Sequence, residues 1–221
     1  LNNRRIFCPR GKMIGGCSSH NGMVFVRGNP LDFERWASYG LPKWSYKNVL
    51  PYFKKLETWS GGENLYRGGK GPLKVNRSKI DEAFPLFKSL IKAAAEAGYD
   101  TFEDSNGFKQ DGFGTFDVTI DNGQRQGVSR AYLKEMNGYK NLSIEHNTDV
   151  SKIIFKEKKA IGVEVIRNNH SEIYYCNKEV ILSSGSINSP KILQLSGIGD
   201  EKLLNQNGID IINHLPGVGK N

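Results

Sequence analysis

The chain has 221 residues, 38% of them hydrophobic and 24% charged, enough for one sizeable core or a domain and a half. With 10% aromatic residues the composition excludes a disordered chain, and no apolar run nears the roughly 18–20 residues that span a bilayer. The net charge of +8 sits in residues 1–55, because residues 56–221 hold 21 bases and 21 acids. The basic excess is therefore local: a solvated face, or a site for an anion such as nucleic acid, phospholipid or a phosphate-bearing ligand.

Residues 11–28 form a glycine-punctuated loop containing Gly-Gly-Cys-Ser-Ser-His-Asn-Gly at 15–22. Small residues there permit close backbone approach and unusual dihedrals. Pro30 opens a short helix with Phe33, Trp36 and Ala37 on one face, ending at Gly40. Ser45 is the expected N-cap of a second helix with the stripe Val49, Phe53 and Leu56, and Pro51 early in it. A loop over 61–72 follows. The clearest helix is expected over Asp81–Ala97, with Phe84, Phe87, Leu90, Ile91 and Ala94 at helical spacing, Pro85 in its first turn and Gly98 at its end.

Residues 106–127, rich in Gly, Asp and Phe, are expected to form short strands and turns, and Ser129–Met136 a short helix. The period then becomes strand-like at 142–146, 150–155, 161–167 and 172–176. The alternation of Ile161, Val163 and Val165 implies one buried face. A final strand is expected at Lys178–Leu182, running into Ser183-Ser-Gly-Ser186 and a helix beginning near Ser189-Pro190. Backbone N–H groups at such a turn favour an anion, although many α/β proteins carry similar turns for structural reasons alone.

Several functional classes lose support. There is no Gly-x-Gly-x-x-Gly, no Gly-x-x-x-x-Gly-Lys and no Gly-x-Ser-x-Gly. Cys8, Cys17 and Cys176 have no disulfide or zinc spacing, and His20, His146, His170 and His214 are scattered. The cysteine usage suits a reducing compartment. Basic and aromatic residues interleave between Arg27 and Trp59, but the aromatics lie at core spacing, so nucleic-acid stacking is the weaker reading. Leu1 to Arg10 lacks the apolar stretch of a signal peptide. Both ends look cut, and the chain reads as a fragment.

Two long segments carry a specific resemblance. Gly11-Lys-Met-Ile-Gly-Gly-Cys-Ser-Ser-His-Asn-Gly-Met-Val-Phe-Val-Arg-Gly-Asn-Pro30, with Asp32 and Trp36, resembles the first signature of the glucose–methanol–choline flavoprotein oxidoreductases. Gly185-Ser-Ile-Asn-Ser-Pro-Lys-Ile-Leu-Gln-Leu-Ser-Gly-Ile-Gly199 resembles the second. Arg67-Gly-Gly-Lys-Gly-Pro-Leu73, Asn106-Gly-Phe with Asp111-Gly-Phe-Gly114, Ser129-Arg-Ala-Tyr-Leu133 and His214-Leu-Pro-Gly-Val-Gly219 have family counterparts in the same order. The resemblance covers essentially the whole chain and is nearest to the choline-oxidising members.

The resemblance implies an α/β (α+β) fold, in which a Rossmann-like FAD-binding domain is interleaved with a substrate-binding domain. Residues 1–72 would be an FAD-domain segment with the flavin-contacting loop, 73–124 a substrate-domain segment, and 125–221 FAD domain again. The N-terminal βαβ unit with its glycine motif would precede Leu1. The catalytic histidine and most of the substrate domain would follow Asn221, leaving no catalytic residue within the segment. The implied reaction is FAD-dependent oxidation of a primary alcohol to an aldehyde, choline to betaine aldehyde in the first instance, by hydride transfer to flavin N5. An alcohol oxidase using oxygen, a hydroxynitrile-lyase-type member and a non-catalytic truncated paralogue are the alternatives.

The implied FAD contacts are Gly15, Gly16, Cys17, Ser18, His20, Asn21, Gly22 and Met23 along the flavin and ribityl-diphosphate, Val150 at the adenine, and Ser184 and Gly185 beside the adenosine part. For Val150 an ordinary core-strand role is the equal alternative. No metal is implied. Cys17 and His20 depart from the common first signature, and Gly-Gly-Cys-Ser-Ser-His-Asn is similar to the choline oxidase loop, where the histidine bonds covalently to the flavin 8α-methyl. A neutral imidazole nitrogen is a competent nucleophile near pH 7; the alternative is a non-covalent histidine packed beside the ring. The implied partners are a small alcohol such as choline and, as electron acceptor, oxygen or a quinone, with no nucleic acid. Peripheral membrane association and homo-oligomer formation are further expectations, and the expected location is cytoplasmic with a membrane-associated alternative.

Overall fold

In the computed structural model, which describes residues 2–79, 84–136 and 138–220, the chain is mixed α/β and divides into two units, Leu1–Lys140 and Asn141–Asn221. No helix among the described residues is long and apolar enough to cross a membrane.

The first unit runs β1 (Val24–Phe25), α1 (Pro30–Ser38), α2 (Tyr46–Leu56), β2 (Glu57–Trp59), β3 (Leu73–Arg77), α3 (Pro85–Glu96), β4 (Asp117–Val118), β5 (Ile120–Asp121) and β6 (Gln124–Arg125). Asn29 caps α1, its Oδ1 accepting from the Leu31 N–H at 2.9 Å, and Pro30 takes the first helical position as expected. Phe33 is buried and meets Trp36 and Phe53 edge-on at 5.4 and 5.6 Å, which docks α2 on α1.

Ser45 does sit at the cap position of α2, but it makes no side-chain cap. Glu34 of α1 accepts from the Tyr46 N–H at 2.9 Å instead, and the Ser45 hydroxyl accepts from Asn48. A carboxylate brought in by packing has displaced the local hydroxyl. The expected start of the third helix, residues 81–83, lies outside the described residues. In α3 Ala94 is buried, while Phe87 and Leu90, and Phe84 just before the helix, are exposed. Periodicity makes a helix amphipathic, but burial needs a facing surface.

The strands pair in the order β1-β4-β3-β2. β4 is antiparallel to both β1 and β3, through Val24↔Val118 and Asn76↔Val118, and β2 is parallel to β3. β5 and β6 form a two-residue hairpin, Ile120↔Arg125. Its turn residues Asn122 and Gly123 both have positive φ, 49° and 72°, as a type I′ turn requires. Ser129–Leu133 is a π-helical turn, closed by the Lys134 N–H on the Ser129 carbonyl, so the helix expected to reach Met136 is shorter and wider.

The second unit contains β7 (Asp149–Lys156), β8 (Lys159–Arg167), β9 (His170–Tyr175), α4 (Gly185–Leu195), β10 (Ile198–Gly199), α5 (Glu201–Gln206) and β11 (Asn213–His214). β7-β8-β9 is an antiparallel meander with Ile153 opposite Val163 and Val150 opposite Val165. Ile153, Val165 and Ile192 are buried, and α4 packs on β7. Ser196 locks this packing: its Oγ accepts from the Ile153 N–H at 2.8 Å and donates to the Ile192 carbonyl at 2.5 Å.

Three expectations are corrected here. Residues 142–146 and 178–182 join no strand ladder, because a strand needs a neighbour for its backbone groups and none of the described residues supplies one. The second-signature helix starts at Gly185, four residues before Ser189, with Pro190 inside it. Ser189 turns back instead, its Oγ accepting from the Ser184 N–H at 3.0 Å.

Candidate functional site

The loop over 11–23 folds onto itself before it meets anything else. Gly15 has φ +88° and opens a 3₁₀ turn, Gly16–Ser19. A side chain at Gly15 would lie 2.6 Å from the Ser19 hydroxyl, so glycine meets both the dihedral and the space. The Ser18 hydroxyl donates to the Gly15 carbonyl at 2.6 Å and accepts from the Val128 N–H at 2.9 Å. Ser19 donates to the Ile14 carbonyl at 2.8 Å, and the Cys17 sulfur accepts from the Gly11 N–H at 3.4 Å.

Asn21 completes the loop with a side-chain turn, its Oδ1 accepting from the Met23 N–H at 3.1 Å. Met23 sits at φ +63°, a conformation that costs a residue with a side chain about 1–3 kcal/mol. Its carbonyl is held by the Thr119 N–H at 2.8 Å. Arg125 of β6 reaches the same loop: its Nη1 donates to Asn21 Oδ1 at 2.6 Å and to the Ser18 carbonyl at 3.2 Å.

The structure therefore brings Gly15, Gly16, Cys17, Ser18, His20, Asn21, Gly22 and Met23 into one surface loop. Cys17, His20, Asn21 and Gly22 are exposed. The positions a side chain would take at Gly16 and Gly22 meet no atom within 4 Å. A flat ligand can thus approach the backbone directly at both points, with the His20 imidazole beside it in sequence.

In the second unit, Val150 and Ser184 line the same cavity of about 610 Å³, with Thr148, Ser151, Asn188 and Lys191. Val150 and Ser184 are exposed. Gly185 begins α4 with open space at its missing side chain. His214 is engaged, its Nδ1 accepting from the Glu201 N–H at 3.2 Å.

Behind β1 lies a buried ionic cluster. Glu57 accepts from Arg27 Nη2 at 2.7 Å, from Arg67 Nε at 2.8 Å and from the Gly68 N–H at 3.0 Å. Arg67 Nη1 also donates to Asp104 at 2.7 Å and to Asp117 at 2.6 Å, and Arg77 Nε donates to Asp117 at 2.8 Å. The Arg67 guanidinium stacks 4.4 Å over the Trp59 ring. Three cations face three carboxylates, so burial leaves little net charge uncompensated.

Burial pulls the Arg27 pKa below the ordinary guanidinium value against the opposing pull of Glu57. Burial also works against Arg67, but the hydrogen bonds it donates to Glu57 and Asp117 outweigh it and hold that pKa above the ordinary value. Asn106 joins cluster to loop: it accepts from the Arg27 N–H at 2.7 Å and donates to the Phe25 carbonyl at 3.0 Å. It thereby clamps the strand that leaves Met23.

Sequence reading missed Arg125, Thr119, Glu57 and Asp117. Arg125 had one signal, its place just before the recognised Ser129-Arg-Ala-Tyr-Leu133 stretch. Arg67 and Asn106 stand inside the family-like motifs Arg67-Gly-Gly-Lys-Gly-Pro-Leu73 and Asn106-Gly-Phe, but the sequence shows no partner to give them a role. Glu57 and Asp117 had no local signal at all.

A family model described as GMC oxidoreductase matches residues 1–221. The oxygen-dependent choline dehydrogenase of Photobacterium profundum is 44% identical over 221 residues, which is 100% of this chain and 39% of that protein. The mitochondrial choline dehydrogenase of Homo sapiens is 46% identical over 100% of this chain and 37% of its own length. Among solved structures, an FAD-dependent oxidoreductase from Chaetomium thermophilum superposes with a TM-score of 0.87 at 34% identity, covering 98% of this chain and 40% of that one. The chain thus spans about two fifths of the length of these relatives.

Proposed function

The chain belongs to the GMC oxidoreductase family, and from that premise we propose that it is part of an FAD-dependent enzyme that oxidises a primary alcohol, choline first, to the aldehyde. The match of the whole chain to about two fifths of choline dehydrogenases, at 44% and 46% identity, supports the substrate class. Oxygen is the proposed acceptor, as in the name of the Photobacterium relative. In this reading residues 1–72 and 125–221 serve the cofactor and 73–124 the substrate domain.

The loop fits FAD on its own geometry. Open space at Gly16 and Gly22 admits a planar ring against the backbone, and the exposed His20 provides a ring nitrogen for the flavin 8α-methyl. Gly15, Gly16, Cys17, Ser18, His20, Asn21, Gly22 and Met23 would hold the flavin and ribityl-diphosphate. Val150, Ser184 and Gly185 would hold the adenosine part, and the cavity shared by Val150 and Ser184 supports that assignment. Bound FAD supplies a hydride acceptor at flavin N5 for the α-carbon of the alcohol. The work of these residues is to orient the ring and keep the backbone close, while Ser18, Arg125 and Thr119 keep the loop in place. No residue of this segment is assigned as the base.

The test uses the full-length protein with its flavin, mixed anaerobically with choline. Bleaching of the flavin absorbance supports the oxidoreductase. Flavin that stays oxidised with choline and with other primary alcohols overturns it, and turnover without bleaching would mark a lyase.

A further inference from the structure

We propose that Arg125 is a positioning residue for the 15–23 loop and acts through Asn21; its consequence for flavin rests on the FAD reading above. The two residues are 104 positions apart in sequence, yet Arg125 Nη1 lies 2.6 Å from Asn21 Oδ1. That oxygen is a hub. It also receives the Met23 N–H at 3.1 Å, the bond that closes the turn around the left-handed Met23. The second hydrogen on the same nitrogen goes to the Ser18 carbonyl at 3.2 Å, so one guanidinium nitrogen spans both ends of the exposed stretch.

Arg125 is itself well supported. It pairs with Ile120 across the β5–β6 hairpin, and the next residue, Gln126, donates its N–H to the Thr119 carbonyl at 2.8 Å. Hydrogen bonds from a charged donor are about twice as strong as neutral ones, and the amide oxygen of Asn21 has no other fixed support at this length. Removing the guanidinium leaves Asn21 Oδ1 with the longer Met23 bond, while the Asn21 backbone N–H stays on the Cys17 carbonyl at 2.9 Å. The Val128–Ser18 and Thr119–Met23 bonds survive the change because their donors are backbone N–H groups. The loop then stays folded in place but loses the alignment of residues 20–23.

The test is a double-mutant cycle in the full-length protein: Arg125→Ala, Asn21→Ala and the pair, with Arg125→Lys alongside. Two readouts are taken: hydrogen exchange of the peptide covering 15–23, and visible circular dichroism of the bound flavin. Each single variant is expected to speed loop exchange by about tenfold and to alter the flavin spectrum. The double variant should fall short of the sum of the two single ones, because the bond between the two residues is lost in each, and lysine should restore part of the protection. Unchanged exchange in Arg125→Ala, or fully additive effects of the two changes, overturns the tether. Wild-type protein that holds no flavin would count against the FAD reading alone, and the exchange cycle would still decide the role of Arg125.

Discussion

Arg67 grips Glu57 with two nitrogens: Nε lies 2.8 Å from Oε1 and Nη2 3.1 Å from Oε2, and both side chains are fully buried. The same Oε1 also takes Arg27, so a single carboxylate ties the strand after the 15–23 loop to the Arg67-Gly-Gly segment. Glu57→Gln is expected to destabilise the full-length protein by about 3–5 kcal/mol, the usual cost of leaving a buried charge unpaired. Arg67→Lys should also destabilise, because an ammonium cannot supply the planar fork. Thermal unfolding checks both, and a Glu57→Gln protein as stable as wild type would remove the cluster from the account of the fold.

Gly68 and Gly71 are required by close approach. A Cβ on Gly68 would collide with the carbonyl oxygen of Lys54, and one on Gly71 with the backbone nitrogen of Glu57. Gly68→Ala is expected to cost at least the roughly 1–3 kcal/mol of an overpacked site, since the colliding atom is backbone and cannot turn away. The yield of folded protein and its melting temperature report this.

The proposed FAD reading makes His20 the residue that would link the flavin covalently. After acid precipitation of the full-length enzyme, yellow colour is expected to remain in the protein pellet, and His20→Ala is expected to release its FAD into the supernatant. Wild-type flavin found wholly in the supernatant would falsify the covalent link while leaving FAD binding itself intact.

Ser196→Ala strips the Ile153 N–H and the Ile192 carbonyl of a shared partner. An unsatisfied buried backbone group costs about 1–3 kcal/mol. The loss should appear as faster hydrogen exchange across β7 and α4, while loop 15–23, in the other unit, keeps its protection.

Asp200 caps α5 and is one of the carboxylates of the second unit whose pKa is depressed. N–H donation from Leu203, then the ion pair with Lys220, holds its carboxyl below the ordinary aspartate value. A depressed folded pKa contributes stability that is complete above the unfolded value, about 3.9. That contribution is lost as pH falls through the lower folded value. Asp200→Asn keeps a capping oxygen but removes the charge, so stability measured from neutral pH down to about pH 3 should show a shallower acid limb than wild type. Superimposable profiles would exclude the carboxylate from the acid response.

The sequence by itself determined the features that rest on short-range sterics and local hydrogen bonding. Asn29-Pro30 opens a helix because one residue caps and the next fits the first turn. The alternation through Ile161, Val163 and Val165 makes a strand of the meander, and the glycine-rich signature marks the surface loop with its left-handed Gly15. Tertiary structure decided whatever depends on partners far away in the chain. Residues 142–146 and 178–182 have strand-like patterns but no neighbour to pair with among the described residues. The face of α3 is apolar yet exposed. Ser45 lost its cap to Glu34. Glu57 and Asp117 became hubs only when folding brought arginines from three segments around them. Arg125 acquired Asn21 in the same way. Local propensity is a property of a few neighbouring dihedrals, whereas a buried charge is tolerable only where the whole fold delivers its counter-charges.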